Sequence, residues 1–194
     1  MVYAFEPVTP TFERLMQRLD DAAWFDNVIA TRAACGAAEG AATMLVPGGD
    51  WGQAALARHD TASWASAAAI ERYDTRVIRL DRYLAAAGPG HVDFVKIDVE
   101  GAELHVVRGL LDTLAVHQPM VSIEVYGEWT RGFGYEPADL IQLLQSAGYD
   151  CLIGLNGSVK SLRPAEAVAL ASSVSVNLLC AMRGVHSQRL KGMD

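Results

Sequence analysis

Apolar positions in this chain fall into short runs separated by stretches of helical period, a rhythm that predicts strands alternating with helices. Val2, Tyr3, Ala4 and Phe5 make one such run, closed by Glu6 and Pro7. Thr9 is placed to cap a helix with Pro10 at its first position, and Phe12, Leu15, Met16 and Leu19 then repeat on one face. Residues 27–35 read as a second strand, ended by Gly36, and 43–46 as a third. Residues 50–74 show no clean period and read as an excursion, part loop and part helix. A short strand over 76–80 and a short helix over 81–87 follow, closed by Gly88.

The stretch VDFVKIDVEGAE at 92–103 is the most informative. Val92, Phe94, Val95, Ile97 and Val99 suit a strand buried on both faces of a parallel sheet. Lys96, Asp98 and Glu100 alternate near its carboxyl end before Gly101 breaks it. The next helix carries Leu104, Val107, Leu110, Leu111 and Leu114 on one face. A strand at Met120–Val125, a helix over 139–147 ended by Gly148, and strands over 149–155 and 174–182 complete the pattern. It predicts one α/β domain over 1–183, with a mostly parallel sheet covered by helices on both faces, and a flexible tail over 184–194. In open sheets of this kind ligands sit beyond the carboxyl ends of the strands, so an acidic pair there is a candidate site.

Composition narrows the partners. Hydrophobic residues make up 51% of the 194, charged residues 20%, and the formal net charge is −7. With no basic stripe, nucleic acid is not expected as a partner. Cys35, Cys151 and Cys180 are odd in number and far apart, which argues against a disulfide framework or metal site and fits a reducing cytoplasm. No apolar run is long enough to span a bilayer and no signal peptide opens the chain, so no membrane partner is expected. The five histidines follow no metal pattern and read as surface or structural groups.

VYAFEP at 2–7, NVIATRAACG at 27–36, VDFVKIDVEGAELHVVRG at 92–109, PMVSIEV at 119–125, AGYDCLIG at 147–154 and VNLLC at 176–180 occur in one order. Together they resemble an FkbM-type methyltransferase over nearly the whole chain, with KIDVEGAE the most specific piece. The resemblance implies a Rossmann-like class I methyltransferase sheet and S-adenosylmethionine as cofactor. It also implies a central first strand ending in a glycine-rich turn of the D-x-G-A-N-x-G kind, which holds the methionine part. That turn does not occur here, and Met1 directly precedes the equivalent of the second strand. Three explanations are open: a start placed too late in the reading frame, which is preferred, a strand supplied by another chain, or direct pairing of the two neighbours.

The resemblance assigns Glu6 to the cofactor ribose; otherwise it is a solvated strand-end acid before Pro7. Asp98 is the first choice for the base that takes the acceptor's hydroxyl proton, or for orienting that acceptor. Its rival role, shared with Glu100 and Glu103, is to place negative charge at a helix start. Lys96 points to Asp98's side of a regular strand and can simply pair with it. Glu124 is the best candidate to shape the acceptor pocket, with the aromatic and glycine-rich loop at 126–135 as a lid or as ordinary surface. Family members often carry an acid where Ala37 stands, for the adenine amine, and Glu39 is the nearest stand-in. Asp98 and Glu100 alone make a weak divalent-ion site.

The leading expectation is an O-methyltransferase acting on a hydroxyl of a small metabolite or sugar, weak or inactive without the missing loop. The alternative is a non-catalytic remnant or binding module completed by a partner strand, from another protein or from a second copy. A nicotinamide-dependent reductase ranks below both, because it leaves KIDVEGAE unexplained. The transferase expectation rests on Glu6 and Asp98 ending neighbouring strands of one sheet and facing a shared cleft, and it fails with the two on opposite rims of the molecule.

Overall fold

The computed structural model describes residues 1–22, 25–155 and 158–190. Its strands are β1 (Val2–Phe5), β2 (Val28–Thr31), β3 (Ala34–Cys35), β4 (Gly40–Pro47), β5 (Ile70–Ile78), β6 (Phe94–Ile97), β7 (Met120–Val125), β8 (Asp150–Leu155), β9 (Ser158–Ser161) and β10 (Val176–Ala181). The helices are α1 (Thr9–Asp21), α2 (Ala62–Ser66), α3 (Leu80–Ala87), α4 (Glu103–Arg108), α5 (Leu111–His117), α6 (Gly127–Arg131), α7 (Pro137–Ser146), α8 (Pro164–Ser173) and α9 (Arg183–Leu190). No helix among the described residues is long and apolar enough to cross a membrane.

These strands form three sheets of mixed pairing, where one mostly parallel sheet was expected. β1 and β2 form a parallel pair by themselves, Val2 opposite Val28 and Phe5 opposite Thr31. The expected single strand over 27–35 divides, because β3 leaves β2 and joins β5 in a second sheet. There β5 also runs antiparallel to β4, from Gly40 opposite Val77 to Pro47 opposite Ile70. β5 starts well before the expected strand over 76–80. Its period-2 pattern is real, but Arg72, Asp74 and Arg76 make its exposed face so polar that it reads as loop. The third sheet has the order β6-β7-β10-β8-β9. Only β6 and β7 run parallel in it; β8 and β9 lie too close in sequence for the crossover a parallel pair needs.

β6 is an edge of that sheet, and Phe94 is 54% exposed, so the expected burial on both faces does not hold. Behind the sheet, Val107, Leu110 and Leu114 from the α4–α5 region join Val121, Ile123, Leu140, Leu144 and Leu178 in one core. The expected continuous helix after Gly101 is two helices, interrupted at Gly109. A Cβ at Gly109 would stand 2.2 Å from the Gly36 carbonyl oxygen, so only glycine lets the end of α4 approach the end of β3.

α3 connects the small sheet to this core. The Tyr83 ring meets Phe5 edge-on at 5.1 Å, and its hydroxyl is 2.9 Å from that of Thr31. Two residues earlier, buried Asp81 accepts from the Thr113 N–H and hydroxyl, each at 2.8 Å, and its own N–H donates to the Gly109 carbonyl. Within the segment expected as a tail from Gly184, α9 spans Arg183–Leu190. His186, 3% exposed, anchors it: Nδ1 accepts from the Met182 N–H at 3.0 Å and Nε2 donates to the Gln118 carbonyl at 2.9 Å. The rest of that expected tail, 191–194, lies outside the described residues.

Candidate active site

The parallel register of β6 and β7 places Ile97 opposite Ile123, so the next residues beyond, Asp98 and Glu124, meet at the carboxyl edge. Their carboxyl groups are close enough to shift each other's titration. Two neighbouring carboxylates repel, which pushes their pKa values apart. Burial favours protonation of Asp98, but the hydrogen bonds from Lys96 and Glu124 outweigh it and hold its pKa below the ordinary value. Lys96 Nζ lies 2.5 Å from Asp98 Oδ2, the pairing its position two residues earlier allows. Burial and the Asp98 charge raise the pKa of Glu124 despite the Ser175 hydroxyl donating to it at 2.5 Å. Asp98 is therefore the stronger acid of the two and Glu124 the weaker.

Glu100 stands beside this pair. Burial and the charges of Glu124, Asp98, Glu103 and Asp50 push its pKa up to about 8. Its Oε2 is buried without a hydrogen-bond partner, and its backbone is left-handed at φ 53°. A non-glycine residue in that region is held by its surroundings, because isolated chains avoid it. The hold comes from His59, whose Nε2 donates to the Glu100 carbonyl at 2.9 Å. A carbonyl can only accept, so His59 carries its proton on Nε2. Burial keeps the ring neutral by lowering its pKa. The ring stacks on Trp129 at 5.9 Å and 18° and lies 5.2 Å from Trp64.

Glu103 shapes the turn from below. Its Oε1 accepts from the N–H groups of Gly101 and Val99, at 3.0 and 3.3 Å. The Tyr135 hydroxyl lies 3.1 Å from Glu103 Oε2 and 2.9 Å from the Gly101 carbonyl, and accepts from the Leu104 N–H. Gly101 has φ 99°, and a Cβ there would stand 2.8 Å from both the Phe133 ring and the Trp129 carbonyl. Glu103 thus has the structural helix-start role, and the stretch 126–135 is the wall of this turn. It contains α6 and the buried Tyr135, where an open loop was one expectation.

The remaining candidates lie elsewhere. Glu6 follows β1 and extends its ladder, donating its N–H to the Thr31 carbonyl. Its Oε1 accepts from the Val8 N–H at 2.7 Å, and partial burial raises its pKa. Glu6 therefore serves the start of α1. Val8 is the N-cap there, while Thr9, the expected cap, is the first helical residue and accepts from Arg32. Glu39 is paired at 2.8 Å with Arg82 on the surface. Glu6 and Asp98, expected on neighbouring strands of one sheet, end strands of two different sheets. An open recess of about 560 Å³ is lined by Ala30–Arg32 and Asp74–Arg76, and none of Glu6, Glu39, Asp98 and Glu124 lines it.

Sequence reasoning left one member of the site, Glu100, between several roles and missed another, His59. Glu100 was ambiguous because its side chain is aimed by a left-handed backbone that no residue preference announces. His59 lies in the aperiodic stretch, 41 residues before Glu100, with no local signal of that contact.

Residues 1–151 match the Methyltransferase FkbM domain family. No curated protein matches the chain. Among solved structures, the crystal structure of Methyltransferase FkbM from Methylobacillus flagellatus KT matches with a TM-score of 0.45 and 17% identity. The match covers 92% of this chain but 36% of that one, so this chain spans well under half of that protein's length.

Proposed function

Because the chain belongs to the FkbM methyltransferase family, we propose that it serves S-adenosylmethionine-dependent O-methylation, in the cytoplasm, of a hydroxyl on a small metabolite or sugar. The supporting observation is the juxtaposition of Asp98 and Glu124 at the carboxyl edge of β6 and β7, with Lys96 paired to Asp98. Ionised Asp98 accepts the hydrogen of the acceptor hydroxyl and orients its oxygen. Glu124, the weaker acid, flanks Asp98 at the end of the next strand. Glu100, with a pKa of about 8, has the basicity best matched to holding a proton near neutral pH.

S-adenosylmethionine supplies the electrophilic methyl group when it is bound. The residues present fit only part of it. Val8 occupies one carboxylate oxygen of Glu6, and a ribose would use the other. Adenine contact by Glu39 would require breaking its pair with Arg82. Residues 1–194 contain no glycine-rich turn for the methionine part.

Calorimetric titration with S-adenosylmethionine, followed by methyl-transfer assays on a panel of sugars and small alcohols, tests the proposal. Transfer that Asp98→Asn abolishes supports it. Transfer that survives both Asp98→Asn and Glu124→Gln removes the acceptor role of the pair.

A second reading has its own support. β1 pairs only with β2 and β6 only with β7 among the described strands, and Val2 and Phe94 are more than half exposed. Unpaired edges of this kind accept an added strand. On this reading the chain is a binding module completed by a strand from a partner or a second copy. Light scattering showing a stable, well-folded monomer counts against it.

A further inference from the structure

Cys151 and Cys180 take no part in the site described above. They stand directly opposite one another on the antiparallel strands β8 and β10. The Cys151 carbonyl accepts from the Leu162 N–H at 2.9 Å, in line with the register of β8 on β9. The N–H and C=O of a strand residue leave on the same side, so Cys151 turns neither group toward β10. The two cysteines are therefore a non-hydrogen-bonded pair, the kind whose Cα atoms lie about 4.5 Å apart. That spacing falls within the roughly 4.4–6.8 Å that a disulfide spans. Their Sγ atoms are 3.9 Å apart, and both side chains are buried.

We propose that Cys151 and Cys180 form a reversible disulfide that locks β8 to β10 when the protein meets a peroxide. The Cys151 thiolate attacks a peroxide oxygen, the O–O bond breaks, and hydroxide leaves and takes up a proton. The Cys180 sulfur then displaces the hydroxyl of the resulting sulfenic acid, and the Cys180 proton departs with it as water. One hydrogen peroxide and two thiols become one disulfide and two waters, with two electrons passing to the peroxide. Cys151 reacts first because it keeps the slight exposure, 4%, that the fully buried Cys180 lacks. The hydrogen bond from Cys180 also holds the Cys151 pKa below its ordinary value, toward the reactive thiolate. The third cysteine, Cys35, lies on β3 in another sheet. The proposal is independent of methyl transfer.

The test is peroxide treatment of the 194-residue protein, alkylation of remaining thiols in denaturant, and peptide mass spectrometry. Two of the three free thiols should be lost and regained with dithiothreitol, and a linked peptide pair containing Cys151 and Cys180 should appear. The thermal midpoint should rise by roughly 5–10 °C on oxidation in the wild type and in Cys35→Ser, but not in Cys151→Ser or Cys180→Ser. Three alkylatable thiols after peroxide, a lone cysteine trapped as sulfinic acid, or a bond involving Cys35 would each overturn the proposal. Cys35→Ser leaves both core sulfurs in place, so it keeps the test decisive if a core variant fails to fold.

Discussion

Two strand ends in this molecule carry an acid in the position where open α/β sheets bind ligands, and the two are built differently. Beyond β6, Asp98 sits among Lys96, Glu124 and Glu100, over a turn tied by Glu103 and Tyr135 and clamped by His59. Beyond β1, Glu6 completes a local turn through Val8, and Glu39 meets only a surface arginine in its ion pair. Position at a strand end is thus shared, while chemical readiness is not. The first site gathers like charges in a half-buried place, which separates their pKa values. The second spends its carboxylate on the backbone of its own helix start.

The largest effect should come from the acids themselves. In a preparation that transfers methyl groups, Asp98→Asn should lower kcat by about 10²–10⁴-fold, whereas Glu6→Gln should chiefly raise KM for the cofactor. Steady-state kinetics check this, and equal kcat losses in both variants would erase the distinction between the two sites.

Next come the supports of the β6 turn. Gly101→Val places a side chain into the Phe133 ring and the Trp129 carbonyl on a left-handed backbone, and should cost about 3–5 kcal/mol of stability. Tyr135→Phe strips a buried network of its hydroxyl and should cost about 1–3 kcal/mol. Denaturant unfolding reads both.

Glu100 supplies a smaller, pH-dependent effect. Its pKa rises from 4.5 to about 8 in the folded state, so between these values the folded protein holds a proton that the unfolded chain releases. Stability should therefore fall as pH rises through this window. Glu100→Gln should flatten the slope and stabilise the protein by on the order of 1–2 kcal/mol at pH 9, after discounting for partial exposure. A wild-type stability curve as flat as that of the variant between pH 5 and 8 contradicts the raised pKa. The smallest effect belongs to Glu39→Gln, which breaks only an exposed pair and should cost less than about 0.5 kcal/mol by thermal melting.

Much of the fold was legible because its signals are local. Val2–Phe5, Met120–Val125 and the helix from Leu80 follow apolar period and glycine punctuation closely. The errors share one cause. Residues 70–78 form a strand whose outer face is charged, and residues 27–35 belong to two sheets, and period alone says nothing about which strand accepts which neighbour. Of the candidate site, Asp98 was nominated from KIDVEGAE and Glu124 from the strand at Met120. Their direct contact follows from the β6–β7 register, which no single segment encodes.

Taken alone, the sequence determined the family, the α/β alternation, the acids at the strand ends and the glycine at 101, because each rests on residue type or short-range spacing. Only the tertiary structure decided that Glu100 stands left-handed under His59, that Glu6 serves its own helix, that Cys151 faces Cys180, and that the strands divide into three sheets. Those outcomes depend on long-range pairing and on burial, and both exist only once distant segments have packed.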